Sequence, residues 1–322
     1  MRVIVIGGSG HVGTYLVPRL VEKGHTVVNV SRGRRKPYHS DYAWESVEQV
    51  SLDRADEEKA GSFGKRILSL DPDVVIDMIC FEPDSAVHLL ESLRGLVQHL
   101  ITCCTIWVHG YSVQVPWKEE QPKHPFGSYG IKKEKIESIL LEESRKNGFP
   151  ATIVHPGHIV GPGWAPVNPA GNFNPAVFET LARGEPLTLP NLGLETVHHV
   201  HADDVAQVFI RAMENWSVAV GEGFHVVSES ALTLRGYAEA AAEWFGKKAA
   251  LRFLPWEQWK NTVSAEDAEY TWDHIAHSPC VSIEKAKRLL GYRPRYTSLE
   301  AVRQALTWLI QSGLISTGPI NP

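Results

Sequence analysis

The sequence predicts an α/β protein in which helices cover both faces of a doubly wound parallel sheet. Two observations predict this fold. Short apolar runs alternate with helical patterns through the first half of the 322-residue chain, and the first apolar run ends in a cluster of glycines. Strands that alternate with helices favour parallel pairing with right-handed crossovers. A chain of this length buries a sizeable core as one large unit or as a unit with a smaller lobe.

The strands and helices of the first half follow from these patterns. Candidate strands are the apolar runs at residues 3–6, 26–30, 47–50, 74–79, 99–104 and 152–154. Candidate helices lie between them at residues 11–22, 56–69, 85–94 and 128–145. Gly24 follows the first helical pattern at the position of a C-cap glycine, which predicts that this helix ends there.

The second half has a different character. Residues 155–175 are rich in Pro, Gly and Asn, which predicts a loop. Beyond the loop we predict helices at 175–183, 202–215, 233–245, 283–290 and 299–312, and short strands at 187–189, 197–200 and 223–227. We therefore expect one domain over residues 1–155, completed by strands from within 156–230, and a smaller α/β lobe formed mainly by residues 156–322.

Composition limits the partners and the location of the protein. The net charge is −5 and the charged fraction is 21%, so no basic surface for nucleic acid or an anionic membrane is indicated. No apolar run reaches the ~20 residues that span a bilayer, and we expect no leader segment because the first strand is predicted to begin near residue 2. We expect a cytoplasmic protein with four reduced cysteines, at positions 80, 103, 104 and 280.

The glycine cluster predicts a dinucleotide site. It follows the first strand directly and reads Gly7-Gly-Ser-Gly-His-Val-Gly13, a G-x-x-G-x-x-G spacing. Glycines allow the backbone to approach a pyrophosphate, and the next helix offers free N–H groups and a positive dipole end. The candidate cofactor residues here are Gly7, Gly10, His11, Val12 and Gly13. The alternative is that the glycines only shape a strand-to-helix turn.

Tyr129 and Lys133 predict acid–base chemistry. They lie four residues apart in a strongly helical segment, so their side chains share a face. A phenol with the ordinary pKa of ~10 is a poor base at neutral pH. A nearby ammonium favours the phenolate and lowers that pKa. The alternative is a solvated helix face.

Several segments together resemble the extended epimerase/dehydratase branch of the short-chain dehydrogenase/reductase superfamily. The resemblance spans nearly the whole chain. It is carried by the glycine cluster, by Tyr129 with Lys133, and by Thr105-Ile-Trp-Val-His-Gly110, His155-Pro-Gly-His-Ile-Val-Gly-Pro-Gly163, Val200-His-Ala-Asp-Asp-Val-Ala206 and Ala286-Lys-Arg-Leu-Leu-Gly291. It implies a Rossmann-type sheet that binds NAD(P) within residues 1–155 and a substrate-binding C-terminal lobe.

The resemblance also implies a role for individual residues. Thr105 would hydrogen-bond the reacting substrate oxygen, and Tyr129 would take or return the proton of that oxygen during hydride transfer. Lys133 would bind the nicotinamide ribose and lower the pKa of Tyr129. The expected further contacts are Pro156 to the cofactor, and His158, Trp164 and Trp107 to the substrate. The alternative for Thr105 is an ordinary β-branched strand residue.

The end of the second strand favours NADP(H) over NAD(H). NAD-preferring relatives place an acid there to bind the ribose 2′-hydroxyl. This chain has Ser31 and Arg32, with Arg34, Arg35 and Lys36 close behind, and an arginine pairs with a 2′-phosphate. Asp53 matches the family position that contacts the adenine amino group. The alternative is a solvated basic loop without specificity.

The resemblance departs from its pattern at the substrate. Relatives that act on nucleotide-diphosphate sugars commonly hold the diphosphate with arginines. Here one such position is Val197, and the other offers Tyr270, Trp272, Asp273 and His274. A diphosphate buried without cations is costly, so we expect a sugar-like small molecule without a nucleotide diphosphate. A nucleotide-sugar epimerase or dehydratase stays an alternative.

The sequence also bears on RNA binding, metal binding and assembly. Asp53-Arg54, the 77–80 segment and the 31–33 turn resemble an atypical subgroup that includes chloroplast stem-loop-binding proteins, so an RNA-binding or nucleotide-sensing protein stays open. We expect no metal site, because His198 and His199 are adjacent on a strand and point to opposite faces. A homodimer through the Tyr129 helix and the helix near 85–94 is expected from the family, with Lys132, Lys135 and Glu137 making that face polar.

Overall fold

Thirteen strands and thirteen α-helices organise residues 1–321, the part of the chain that the computed structural model describes. The strands are β1 Arg2–Ile6, β2 Thr26–Ser31, β3 Glu48–Ser51, β4 Val74–Asp77, β5 His99–Cys103, β6 Ala151–Pro156, β7 His158–Val160, β8 Pro186–Pro190, β9 Thr196–Val197, β10 His199–His201, β11 Gly223–Val226, β12 Leu232–Thr233 and β13 Ala250–Leu254.

The helices connect these strands. They are α1 Gly13–Glu22, α2 Arg54–Lys59, α3 Phe63–Leu68, α4 Pro83–Leu93, α5 Gly127–Asn147, α6 Ala176–Arg183, α7 Ala202–Glu214, α8 Trp216–Ala219, α9 Leu234–Glu243, α10 Trp256–Trp259, α11 Ala265–His277, α12 Glu284–Leu290 and α13 Ser298–Gln311. Two 3₁₀ helices, Tyr42–Ser46 and Ile106–His109, precede β3 and follow β5.

Seven strands form one parallel sheet in the order β11-β6-β5-β4-β1-β2-β3. The strand order reverses between β1 and β4, because the chain first builds outward to β3 and then returns to the other side of β1. Ligands of such sheets bind at the carboxyl ends of the strands beside this switch point. The predicted doubly wound α/β fold is confirmed.

The interior strand β1 shows how the core is divided. Alternate side chains of a strand point to opposite faces of the sheet. Val3 and Val5 pack in a layer with residues of α1 and α7, whereas Ile4 and Ile6 pack in a layer with residues of α4 and α5. All four are at most 1% exposed, as expected for a sheet covered on both faces.

The C-terminal half adds a separate apolar cluster. It is built around α9 and α13, with Leu234, Tyr237 and Leu306 fully buried. Three two-stranded pairings accompany it: β7 with β10, β8 with β13, and β9 with β12. Helix α11 of this half reaches the carboxyl end of β5, because His274 and His277 on it lie beside Trp107.

Some predicted elements differ from the structure. The single helix predicted over 56–69 is two helices, because Gly61 adopts a left-handed φ of 67° between α2 and α3. The strand predicted over 197–200 is interrupted at His198, whose ring bonds the carbonyl of Ser228. The patterns missed β7, which lies within the predicted 155–175 loop, and also β12, β13, α8, α10 and α11. The buried face of α11 is largely polar, with Thr271, His274 and His277, and so it shows no apolar stripe.

Within residues 1–321, no helix combines the length and the apolar character that crossing a membrane requires.

Candidate active site

The glycine cluster forms a tight turn at the carboxyl end of β1, at the switch point. Gly7 has a φ of 87°, and its carbonyl accepts from the backbone N–H of Gly10 at 3.2 Å. A Cβ added at Gly13 would lie 1.9 Å from the carbonyl oxygen of Gly8. Only glycine allows this approach, and α1 begins directly after it. The turn and the helix N-terminus fit the pyrophosphate of a dinucleotide.

The residues expected at the adenine end lie together beside this turn. The Ser31 hydroxyl accepts from the Ser9 hydroxyl at 3.3 Å and from the backbone N–H of Gly33 at 3.2 Å. Arg32 is exposed and its Nη1 lies 4.0 Å from the carboxylate of Asp53. Asp53 caps α2. Both expected contacts, to the 2′-position and to adenine, therefore face the same end of the cleft.

A buried ion pair fixes the chain directly after Asp53. Arg54 donates to both carboxylate oxygens of Asp77, at 2.9 and 2.8 Å, and also to Glu58 at 2.6 Å. The Arg54 and Asp77 side chains are 10% and 1% exposed. Two of the segments that resemble the atypical subgroup thus contact each other directly. Sequence reasoning noted both segments and missed their pairing.

Thr105, Tyr129 and Lys133 meet at the carboxyl edge of β5. Thr105 caps the following 3₁₀ helix by accepting from the N–H of Trp107 at 3.3 Å. Tyr129 lies in the first turn of α5, close enough to Thr105 for the Thr105 hydroxyl to affect the pKa of the phenol. The ammonium of Lys133, one helical turn on, lies 5.8 Å from the centre of the Tyr129 ring.

The pKa of Tyr129 differs from the expectation. Burial of its phenol group raises the pKa above the ordinary value, the Cys103 and Cys104 thiols add to this, and the Thr105 hydrogen bond opposes it. Forty-one per cent of the residue is nevertheless exposed. Tyr129 is therefore a neutral phenol at neutral pH and is ready to donate a proton.

Two backbone carbonyls bind the ammonium group of Lys133. Its Nζ donates to the carbonyl oxygens of Cys80 at 2.7 Å and Cys103 at 2.9 Å, and the residue is 1% exposed. The ring of Phe81 lies 4.6 Å away. An ammonium has three donors, so one N–H is left for a ligand beside Tyr129.

An aromatic wall stands next to Tyr129. The Trp107 ring centre lies 6.0 Å from that of Tyr129, 6.2 Å from that of His158 and 5.4 Å from that of His274. His277 stacks on Trp107 at 4.2 Å. The histidines of this wall come from β7 and α11, so the unpredicted helix α11 supplies half of it. Phe173 and Tyr270 continue the wall outward.

The imidazoles of the wall carry no charge at neutral pH. Burial lowers the pKa of His274 and of His277 to about 4, and burial together with neighbouring histidines lowers the pKa of His158 well below its usual range. Neither ring nitrogen of His158 has a partner within residues 1–321. The wall thus offers aromatic faces and neutral hydrogen-bonding groups.

Trp164 and Pro156 take other places. Trp164 stacks on His11 of the glycine turn, with ring centres 5.1 Å apart and planes 5° apart, so it lies at the cofactor turn and not on the Trp107 wall. Pro156 ends β6 and pairs with Val226 of the neighbouring strand. Val12 is buried and precedes α1.

Glu137 is not part of a polar surface, and that expectation is wrong. One turn beyond Lys133 on α5, it is 3% exposed. Its carboxylate contacts the Lys123 ammonium and lies 3.2 Å from Nε2 of His155. Burial alone would raise the pKa of Glu137, but His155 and Lys123 outweigh it and lower the pKa to about 2. This charge cluster fixes α5 against β6.

The fold and these residues define a class of protein, the extended short-chain dehydrogenases/reductases. Residues 3–226 match the NAD dependent epimerase/dehydratase family, which is more than half of the chain. The protein belongs to this family and is an NAD-dependent enzyme of the epimerase/dehydratase type that uses a nicotinamide cofactor.

Individual relatives are similar over most of the chain. The chloroplast stem-loop binding protein of 41 kDa b from Arabidopsis thaliana is 28% identical over 315 residues, covering 94% of this chain and 77% of that protein. The 2′-dehydrokanamycin reductase of Streptomyces kanamyceticus is 25% identical over 321 residues, covering 100% and 88%. The structure of UDP-glucose 4-epimerase from Thermotoga maritima with UDP-glucose shares the fold, with a TM-score of 0.73, 23% identity and coverage of 97% and 99%.

The low pKa of Glu137 predicts an acid-sensitive contribution to stability. A carboxyl whose pKa is depressed by folding stabilises the fold above its unfolded value, near 4.5, and this stabilisation is lost as the pH falls toward about 2. Glu137→Gln should lower the free energy of unfolding at pH 7 by ~3 kcal/mol. The difference from wild type should shrink as the pH falls below about 4.5, as measured by urea unfolding at several pH values.

Glu142→Gln is the matched control, because Glu142 lies on the same helix and its side chain is 59% exposed. It should change stability by less than ~0.5 kcal/mol. A Glu137→Gln difference that is the same at every pH would contradict the assignment.

Proposed function

We propose that the protein is an NAD(P)-dependent oxidoreductase or epimerase that transfers hydride at a secondary alcohol or ketone of a sugar-like small molecule. Tyr129 is its general acid/base. The observation that carries the proposal is the convergence of Thr105, Tyr129 and Lys133 beside the glycine turn, at the switch point of the sheet. An acid/base must lie within hydrogen-bond reach of the proton it moves, and 41% of Tyr129 is exposed.

Each residue has one task in this mechanism. Thr105 donates its hydroxyl hydrogen to the reacting substrate oxygen and holds it next to the phenol. When a carbonyl is reduced, the neutral phenol of Tyr129 gives its proton to that oxygen. When an alcohol is oxidised, the reaction runs in reverse from the phenolate, which the raised pKa of Tyr129 makes the minor form at neutral pH. The nicotinamide, when bound, supplies or accepts the hydride. Lys133 orients the nicotinamide ribose through its third N–H, and the wall of Trp107 and His158 positions the substrate.

The substrate class follows from charge. The wall beside Tyr129 is aromatic and neutral, and the two positions where relatives place arginines hold Val197 and the Tyr270–His274 segment. A ring with several hydroxyl groups suits such a wall, since aromatic faces cover its apolar side and imidazoles bond its hydroxyls. A diphosphate finds no cation at these positions. The similarity to 2′-dehydrokanamycin reductase favours a sugar ketone over a nucleotide-sugar.

The cofactor, the domains and the assembly are part of the same proposal. NADP(H) is favoured over NAD(H), because Arg32 stands beside Ser31 where an acid would repel a 2′-phosphate. Residues 1–155 hold the cofactor, and residues 156–322 mainly hold the substrate. The protein works in the cytoplasm as a homodimer through α4 and α5. Within one chain, two ion pairs link the ends of α4 to α5: Glu82 with Lys132 and Arg94 with Glu143.

Tyr129→Phe tests the acid/base role. The variant keeps the ring and loses the transferable proton, so kcat should fall by ~10²–10⁴-fold while the Kd for NADPH stays within about twofold. Turnover is followed by nicotinamide absorbance with a panel of small sugars, lactones and keto-sugars. Tyr42→Phe, at a residue that is 77% exposed, is the control. Unchanged turnover in Tyr129→Phe would exclude the role.

Arg32→Gln tests the cofactor preference. Loss of one charge-assisted contact to the 2′-phosphate should raise the Kd for NADPH by about tenfold and leave that for NADH within about twofold. Nicotinamide fluorescence measures both constants, with Arg66→Gln on α3 as the control for loss of a surface charge. Equal changes for the two dinucleotides would show that Arg32 does not select between them.

Binding of structured RNA is a second candidate function, favoured by the similarity to the chloroplast stem-loop binding protein. The net charge of −5 argues against it. In filter binding with a stem-loop RNA at about 150 mM salt, we expect no saturable retention. Saturable retention that weakens steeply as salt rises would establish this second function, because counterion release accompanies phosphate contacts.

A further inference from the structure

A basic segment lies near the glycine turn, in the connection between β2 and β3. It contains Arg34, Arg35 and Lys36, all three of which are exposed. Within residues 1–321 none of these three side chains makes an ion pair. Three uncompensated cations close together repel each other. Another contact must therefore hold the segment in its place near the glycine turn.

Tyr38 supplies an anchor two residues after Lys36. Its backbone N–H donates to the Thr14 hydroxyl at 3.2 Å. That hydroxyl in turn donates to the carbonyl of Gly10 at 3.0 Å. The segment is therefore bonded, through one side chain of α1, to the turn that is expected to hold the pyrophosphate.

The Tyr38 ring enters an aromatic socket formed by His11, Gly163 and Trp164. Its ring centre lies 5.5 Å from that of His11 and 6.4 Å from that of Trp164, both edge-on. His11 and Trp164 stack on each other at 5.1 Å. The socket thus joins the glycine turn, the basic segment and the loop that follows β7.

Gly163 makes room for the ring. It has a φ of 91°, and a Cβ at this position would lie 2.2 Å from Cδ1 of Tyr38. Every other side chain would displace the tyrosine. The aromatic ring therefore packs against bare backbone, which explains a glycine here independently of any turn requirement.

The socket itself carries no charge. His11 is 6% exposed, and burial together with the nearby His201 lowers its pKa to about 3. The imidazole is therefore neutral at neutral pH. The positive charge near the turn therefore comes from Arg32 and the basic segment. The position of the segment depends on the packing of the Tyr38 ring in the socket.

We propose that Tyr38 is a positioning residue for the cofactor: the socket holds its ring and so places Arg34, Arg35 and Lys36 against the phosphates of an anionic dinucleotide. The ligand named here rests on the proposed function; the anchoring does not. A segment ordered before binding loses less conformational freedom when the ligand arrives, and its cations raise the local concentration of an anion.

Trypsin tests the anchor without any cofactor. The protease cleaves after Arg32, Arg34 and Arg35, and cleavage speeds up when the segment is less firmly held. Tyr38→Ala should be cut about tenfold faster there than wild type. Tyr38→Phe keeps the ring and should match wild type, as should Tyr42→Ala, whose residue is 77% exposed. Equal cleavage rates in Tyr38→Ala and wild type would overturn the anchor.

Fluorescence titration with NADPH at low and at physiological salt tests the ligand. Tyr38→Ala should raise the Kd about tenfold at low salt and reduce the salt dependence, because fewer ion pairs form. Tyr38→Phe and Tyr42→Ala should bind as wild type does. An unchanged Kd in Tyr38→Ala overturns the positioning role. A wild-type chain that binds neither NADPH nor NADH overturns the proposed function and the ligand assigned to the segment, whatever the protease result.

Discussion

The buried ammonium of Lys133 is the contact on which the candidate site depends. Taking a charge out of water is costly unless strong partners replace the water. Here the partners are the carbonyl oxygens of Cys80 and Cys103, which lie just beyond β4 and at the end of β5. One side chain thus ties α5 to two neighbouring strands of the sheet. Tyr129 precedes it by one turn, so the position of the phenol follows from this attachment, and the pairing of Glu137 with Lys123 and His155 holds the next turn in the same orientation.

The sequence predicted what depends on local pattern. Alternating strands and helices indicated the sheet, glycine spacing indicated the turn, and the four-residue spacing of Tyr129 and Lys133 indicated their common face. Contacts between distant segments could not be found in this way. Arg54, the first residue of α2, reaches Asp77 of β4, although β3, the strand before α2, lies three places from β4 in the sheet. Tyr38 reaches Trp164 only because Gly163 is bare. Helix α11 was missed because its buried face is polar, and the raised pKa of Tyr129 was missed because burial is a property of the folded chain.

The cleft is electrically divided. At the proposed adenine end Arg32 and the basic segment are exposed and positive, whereas at the proposed substrate end the histidines of β7 and α11 are neutral. In the proposed function, charge would attract the cofactor over a distance, and shape with hydrogen bonding would select the substrate at contact. A change in salt concentration would act on the attraction of the cofactor only, because neutral contacts are not screened.

The edge strand β3 has a consequence for the behaviour of the protein in concentrated solution. It is four residues long, Glu48 on it pairs with Arg2 of β1, and the Arg54–Asp77 bond fixes the chain just beyond its end. Open sheet edges act as templates for other chains, and short, charged edges are poor templates. This border of the sheet therefore gives a neighbouring chain few free amide groups to pair with.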